Sequence, residues 1–178
     1  MKKIFLTTRK INENTQKPYW LLINSAKKNF EDVCKEKTEI KLLKLSRTIS
    51  IKTFLFFFNK FFSILINNDQ ILKLKYKDID LSTYIIAQIF HDYRSYQNKI
   101  IFYKNLIINF YNAAKIISTT EKMTNDVVAA YLDHGTYING ILFQCLSKKK
   151  IVIYSNHLPR GIFKIDFKKI KKKITYNS

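Results

Sequence analysis

The spacing of apolar and polar residues divides the chain into recognisable segments. Within the apolar run 49–66, Phe54, Phe57, Phe58, Phe61, Phe62 and Leu65 recur at i, i+3, i+4, i+7, i+8 and i+11, which places them on one helical stripe. Lys52, Asn59 and Ser63 lie toward the other side. Leu21, Leu22, Ala26, Phe30 and Val33 predict a helix entered through Pro18, a residue that suits a first helical turn. Leu81, Ile85, Ile86 and Ile89 predict another from about residue 81, capped by Ser82 or Thr83 and closed by His91 and Asp92. Tyr103, Leu106, Phe110, Ala113 and Ile117 share a face of a helix over 100–117, before a polar stretch at 119–125. Strand signals are shorter. They cover 3–6, the half-buried alternation of 39–45, and Leu72, Leu74 and Tyr76 after a turn at 67–70.

The stretch 126–161 organises the rest. It holds all three glycines, Gly135, Gly140 and Gly161, and two of the three histidines, His134 and His157. An apolar run at 127–132 leads into Asp133-His134-Gly135-Thr136, then an apolar helical segment at 137–146, a lysine turn, and a β-branched run at 151–154. That order predicts a β-α-β unit, with an inner strand, a crossover helix and a neighbouring parallel strand. Glycines gathered in a glycine-poor chain suggest unusual backbone geometry there.

Composition changes the picture in three ways. A hydrophobic content of 47% excludes a disordered chain, and 178 residues suffice for a domain with a real core. No internal repeat and no Pro/Gly/Ser linker divides the chain, so a single domain over 1–163 is expected, followed by a basic tail at 164–178. Cys34 and Cys145 are too few and too distant for a disulfide framework, which points to a reducing cytoplasm. The apolar residues after Met1-Lys2-Lys3 end at Thr7-Thr8-Arg9-Lys10, so no secretory leader is expected.

The net charge of +19 invites a polyanion partner, yet nearly every cation is lysine, with arginine only at 9, 47, 94 and 160. Proteins that read base edges favour the bidentate arginine fork. Nucleic acid therefore ranks below an anionic membrane surface as a partner, and a lysine-rich composition on solvated faces ranks above both. The phenylalanine helix is interrupted by Lys52 and Lys60, so it is not a spanning helix. A core helix is preferred, with an amphipathic helix lying on a membrane surface as the rival.

No phosphate-binding P-loop, zinc-protease motif, nucleophile elbow or dinucleotide fingerprint occurs, and no cofactor and no metal are expected. What remains is the corner after the 127–132 strand. At the carboxyl end of a parallel strand, Gly135 permits a tight turn and Thr136 can cap the next helix. Asp133 and His134 can move a proton, while Tyr137 and Asn139 offer polar tips beside Gly140. A buried turn with a satisfied histidine, and an Asn-Gly pair inside a helix, explains the same residues equally well.

The phrase YLDHGTYINGILFQCLSKKKIVIYSN, with LKLKYKDIDLSTYIIAQIFHDYRSY upstream, resembles segments of bacterial capsular and related surface-polysaccharide proteins of the glycosyltransferase-like families. Asp78 stands where the family pattern has glycine. The resemblance covers roughly 72–156 and implies an α/β fold, a three-layer Rossmann-like domain with a mainly parallel sheet. It is similar to the N-terminal, acceptor-side lobe of a two-lobed GT-B glycosyltransferase. By that resemblance Asp133 and His134 would be catalytic. Gly135, Thr136, Tyr137, Asn139 and Gly140 would bind a sugar or a lipid-linked phosphosugar acceptor. A second lobe carrying the nucleotide-sugar site is then an expected partner, with the chain a truncated product or one half of a split enzyme. Activity is expected only with that lobe, at the cytoplasmic face of the membrane. The alternative is a non-catalytic basic module that binds nucleic acid or an anionic membrane surface.

Overall fold

A computed structural model describes residues 3–8, 17–91, 98–132, 138–156 and 162–164. In chain order these form β1 (Lys3–Thr7), α1 (Lys17–Cys34), β2 (Thr38–Leu42), α2 (Ile51–Ile66), a short 3-10 helix (Asn68–Lys73), β3 (Lys75–Tyr76) and β4 (Ile79–Asp80). There follow α3 (Ser82–His91), α4 (Lys99–Glu121), β5 (Val127–Leu132), α5 (Asn139–Lys148), β6 (Val152–Asn156) and β7 (Ile162–Lys164). One domain is expected from the sequence, but the residues group into two compact units. The first comprises 1–44, 123–134 and 146–178, and the second 45–122 and 135–145. The second enters the sequence between β2 and β5 and again between β5 and β6, with no Pro/Gly/Ser linker to mark its borders. Beyond Lys164, the expected basic tail lies outside the described residues.

The first unit is an α/β unit of Rossmann-like character around a sheet of order β2-β1-β5-β6-β7. The pairs β1–β2, β1–β5 and β5–β6 are parallel, and β7 adds an antiparallel edge. The chain steps outward from β1 to β2 through α1, then resumes on the other side of β1 with β5 and β6. The β-α-β unit read from 127–154 is therefore present, with β5 an inner strand.

Short apolar runs form these strands because both sheet faces are covered, as parallel sheets require. Ile4, Phe5, Leu6 and Thr7 are all buried, and so are Ala129 to Leu132. Phe5, Ala129, Tyr131 and Tyr154 form one face and meet Ile23, Ala26 and Phe30 of α1. Small Ala129 pairs in register with Phe5, whose ring lies edge-on to Phe30 at 6.5 Å and 6.0 Å from Tyr154. Each such fully buried side chain contributes roughly 1.5–3 kcal/mol. The Tyr154 hydroxyl bonds Asn29 at 3.2 Å.

At the sheet's edge β2 is more exposed than its alternation suggests, and ends at Leu42. Its start is fastened by Glu31 of α1, whose Oε1 accepts from both the backbone N–H and the hydroxyl of Thr38. Lys27 pairs with the same carboxylate at 2.9 Å. The turn after α5 is a Schellman motif: Ile151 donates to the Leu146 carbonyl and Lys150 to that of Ser147, with Lys150 at φ 60°.

The second unit is helical. Ser50 caps α2 by accepting from Thr53, and its own N–H is held by Ser118 at 3.1 Å. Thr119 receives the Ser46 N–H at 2.7 Å and donates back to the Lys115 carbonyl. Thr119 and Thr120 are thus buried helix residues of α4, which runs to Glu121; their hydroxyls bond back to i−4 carbonyls, and Thr119 also takes up the Ser46 N–H.

Alternation at Leu72, Leu74 and Tyr76 resolves into a 3-10 turn and a two-residue hairpin, with Leu72 exposed and the other two buried. Lys77 turns that hairpin at φ 53° and reaches Glu121 at 2.7 Å. For α3 the capping oxygens belong to Asp80, which accepts from the Ser82 N–H and both hydroxyls of Ser82 and Thr83.

The phenylalanine helix corrects the preference for a core helix. Of the six stripe residues only Phe57 is buried, together with Thr53 and Ile64. Phe57 meets Phe110 at 5.0 Å between ring centroids. The buried side of α2 is centred off the aromatic stripe, which leaves Phe54, Phe58, Phe62 and Leu65 in solvent. Among the described residues, no helix is long and apolar enough to cross a membrane.

Candidate functional site

Five of the seven predicted site residues, Asp133, His134, Gly135, Thr136 and Tyr137, lie outside the described residues. The first unit shows the frame that precedes them. Strand order reverses between β1 and β5, whose carboxyl ends are Thr7 and Leu132, and Asp133 and His134 follow β5 directly in sequence. In open α/β sheets such a reversal is where crevices for ligands form.

Asn139 and Gly140 open α5, with the Ile141 N–H closing a turn on the Ile138 carbonyl. Asn139 is half-buried and Gly140 is buried. A Cβ on Gly140 would fall 1.8 Å from Cε1 of Tyr84, so this glycine permits a close approach of α3 and α5 within the second unit. Tyr84 is held there by its hydrogen bond to Gln144, and burial pushes its hydroxyl pKa up. Gln144 in turn accepts from the Asp80 N–H and donates to the Asp80 carbonyl, both at 3.0 Å. Gly140 therefore has a packing task, and the Asn-Gly pair lies inside a helix.

A second group of polar side chains converges in the same unit. Gln88 and His91, three apart on α3, and Asn105, Asn109 and Asn112, at i, i+4 and i+7 on α4, line one cavity with Ile108 and Ile138. Its volume is roughly 310 Å³, near the lower end of ligand-sized pockets. Asn109 is 5% exposed, and its Nδ2 donates to the Asn105 carbonyl at 2.8 Å, which fixes the amide. Exposed His91 completes the rim.

The chemistry of this lining is specific in what it offers. Each amide side chain carries two N–H donors and a carbonyl acceptor, and among the described residues no carboxylate or lysine belongs to the set. Such a surface suits a neutral ligand rich in hydroxyls better than an anion.

The sequence reading placed His91 only at a helix end and passed over the asparagines. The available signal was their recurrence along one edge of an otherwise apolar helix. Among the described residues, no group of three His, Cys, Asp or Glu side chains is placed to hold a metal ion. Comparison with family models, with curated proteins and with solved structures finds no match to this chain.

Proposed function

We propose that the protein binds a carbohydrate in the amide-lined cavity of its helical unit, as a glycosyltransferase-like component of surface-polysaccharide synthesis. The observation that carries this reading is the convergence of Gln88, His91, Asn105, Asn109 and Asn112 on one cavity, with no accompanying charge among the described residues. Amides serve sugar hydroxyls as donors and acceptors at once, and burying them without such a ligand or each other is costly. The Rossmann-like sheet of the first unit agrees with the transferase class at the level of architecture alone. Any proton transfer falls to Asp133 and His134 after β5, a role that rests on the general habit of parallel sheets to collect ligands at carboxyl ends.

Saturation-transfer NMR against a panel of neutral mono- and oligosaccharides tests the binding. The wild-type protein should show transfer to at least one sugar, and Asn112→Leu, a half-buried position, should abolish it while leaving the circular dichroism spectrum unchanged. Absence of transfer from every sugar in the wild-type protein overturns the reading. His134→Ala tests the transfer role separately: it should spare sugar binding and remove nucleotide-sugar turnover in cells carrying the whole pathway.

A further inference from the structure

We infer that the joint face of α2 and α4 docks onto an anionic lipid bilayer. This inference stands on the helical unit's surface and is independent of the sugar cavity. Phe54, Phe58, Phe62 and Leu65 of α2 and Ile107 and Tyr111 of α4 are 41–54% exposed. Phe58 stacks on Phe54 at 5.9 Å and meets Phe62 edge-on at 4.8 Å between centroids, so the rings form one ridge. Beside it runs a groove of roughly 250 Å³, walled by Phe54, Phe58, Ile107 and Tyr111 over Phe57 and Phe110. Soluble monomers rarely leave so large a contiguous apolar patch in water.

Charge names the occupant. Helix α2 and residues 99–115 of α4 carry Lys52, Lys60, Lys99, Lys104 and Lys115 and no aspartate or glutamate. At about 100° per residue, Lys104 and Lys115 fall beside the Ile107–Tyr111 stripe, on the side away from Phe110. Lys52 falls with Asn59 and Ser63 beyond the other edge of the α2 ridge. The Lys115 ammonium lies 5.1 Å from the Tyr111 ring centroid, at the border of the apolar surface.

Aromatic side chains flanked by lysines match the boundary between acyl chains and anionic headgroups, with lysine stems reaching up to phosphates. A second copy of the same face would bring lysine against lysine across a two-fold axis, with no acid to offset them. With no described helix able to span a bilayer, the contact is lateral: the ridge enters the headgroup region and the groove accepts an acyl chain end. The net charge of +19 adds long-range attraction.

Flotation with vesicles of phosphatidylcholine and phosphatidylglycerol in a roughly two-to-one ratio, against pure phosphatidylcholine, tests the inference. The wild-type protein should float with the mixed vesicles, and less as salt rises. Phe54→Ser with Phe58→Ser should weaken that binding at least about tenfold. Lys52→Glu with Lys104→Glu should weaken it about tenfold or more on anionic vesicles alone. Val33→Ser, at a more exposed apolar position of the other unit, should change nothing. With Trp20 replaced by Phe, Phe58→Trp should be quenched by brominated lipid.

Three results would overturn the inference. The first is wild-type protein left at the bottom of the gradient. The second is undiminished flotation of the Phe54/Phe58 variant, which would assign binding to lysines elsewhere. The third is conversion of a dimer into a monomer by the same variant in lipid-free buffer, which would make the face a contact between copies.

Discussion

The two units use apolar residues in opposite ways. In the sheet unit the runs of β1, β5 and β6 are buried on both faces, and Phe5 has no exposure at all. In the helical unit α2 is the most apolar element, yet it buries only Thr53, Phe57 and Ile64. Parallel strands must be covered on both sides, so their hydrophobicity reports interior. A helix needs only one stripe for packing, and surplus apolar residues on the remaining arc report a second surface. Equal hydrophobicity along a chain thus does not mean equal burial.

Large-to-small changes should separate the units most. Phe5→Ala is expected to cost about 3–5 kcal/mol, read by urea unfolding through Trp20, the lone tryptophan, which lies in α1 of the same unit. Phe58→Ala should stay within about 0.5 kcal/mol by helical circular dichroism. Equal losses at both positions would break the contrast. The helical unit has one tight spot of its own. Gly140→Ala should cost about 1–3 kcal/mol by driving a methyl group into the Tyr84 ring. Tyr84→Ala should recover much of that loss in a double-mutant cycle.

Smaller effects probe the edges of the sheet unit. Lys150→Gly should raise stability by about 1 kcal/mol, because a lysine there occupies the left-handed region. The smallest effect expected belongs to Glu31. Burial alone would raise its pKa, but the Thr38 N–H, the Lys27 ammonium and the Thr38 hydroxyl outweigh that and hold it below the ordinary value. A depressed carboxylate stabilises above its unfolded pKa, near 4.3, and the benefit fades as pH falls through the folded value. Glu31→Gln should therefore lower stability by a few tenths of a kcal/mol at neutral pH and by less in acid, as for an i,i+4 pair near the surface.

The sheet's segments were legible because strand and helix periods in this chain are clean. The spacing at 3–6, 18–36, 127–132 and 151–154 led to the observed elements within a few residues. Hydroxyl-mediated structure was not. Thr119 and Thr120 look like a polar boundary and instead extend α4, and the Asp80 carboxylate takes the capping role assigned to its neighbours.

Of the three glycines, Gly135 and Gly161 lie outside the described residues, and Gly140 serves packing. In this lysine-rich chain the described left-handed positions are held by Lys35, Lys77 and Lys150, while Gly140 is required for contact with Tyr84. Near the candidate site, the crossover frame of β5, α5 and β6 was readable. The amides of α4 were hidden because each is polar in isolation, and only the helix brings them to one wall.

The placement of the helical unit inside the α/β unit has a consequence for how the protein is made. Ile4 pairs with Val127, 123 residues later (127 − 4). On the ribosome β1 and β2 must wait, unpaired on one side, while α2, α3 and α4 are synthesised and can already collapse locally. Bringing such distant partners together carries a loop-closure cost and slows the final step. A preassembled helical insert shortens the effective tether, and until it forms, the open edge of β1 is the part of the nascent chain most exposed to aggregation.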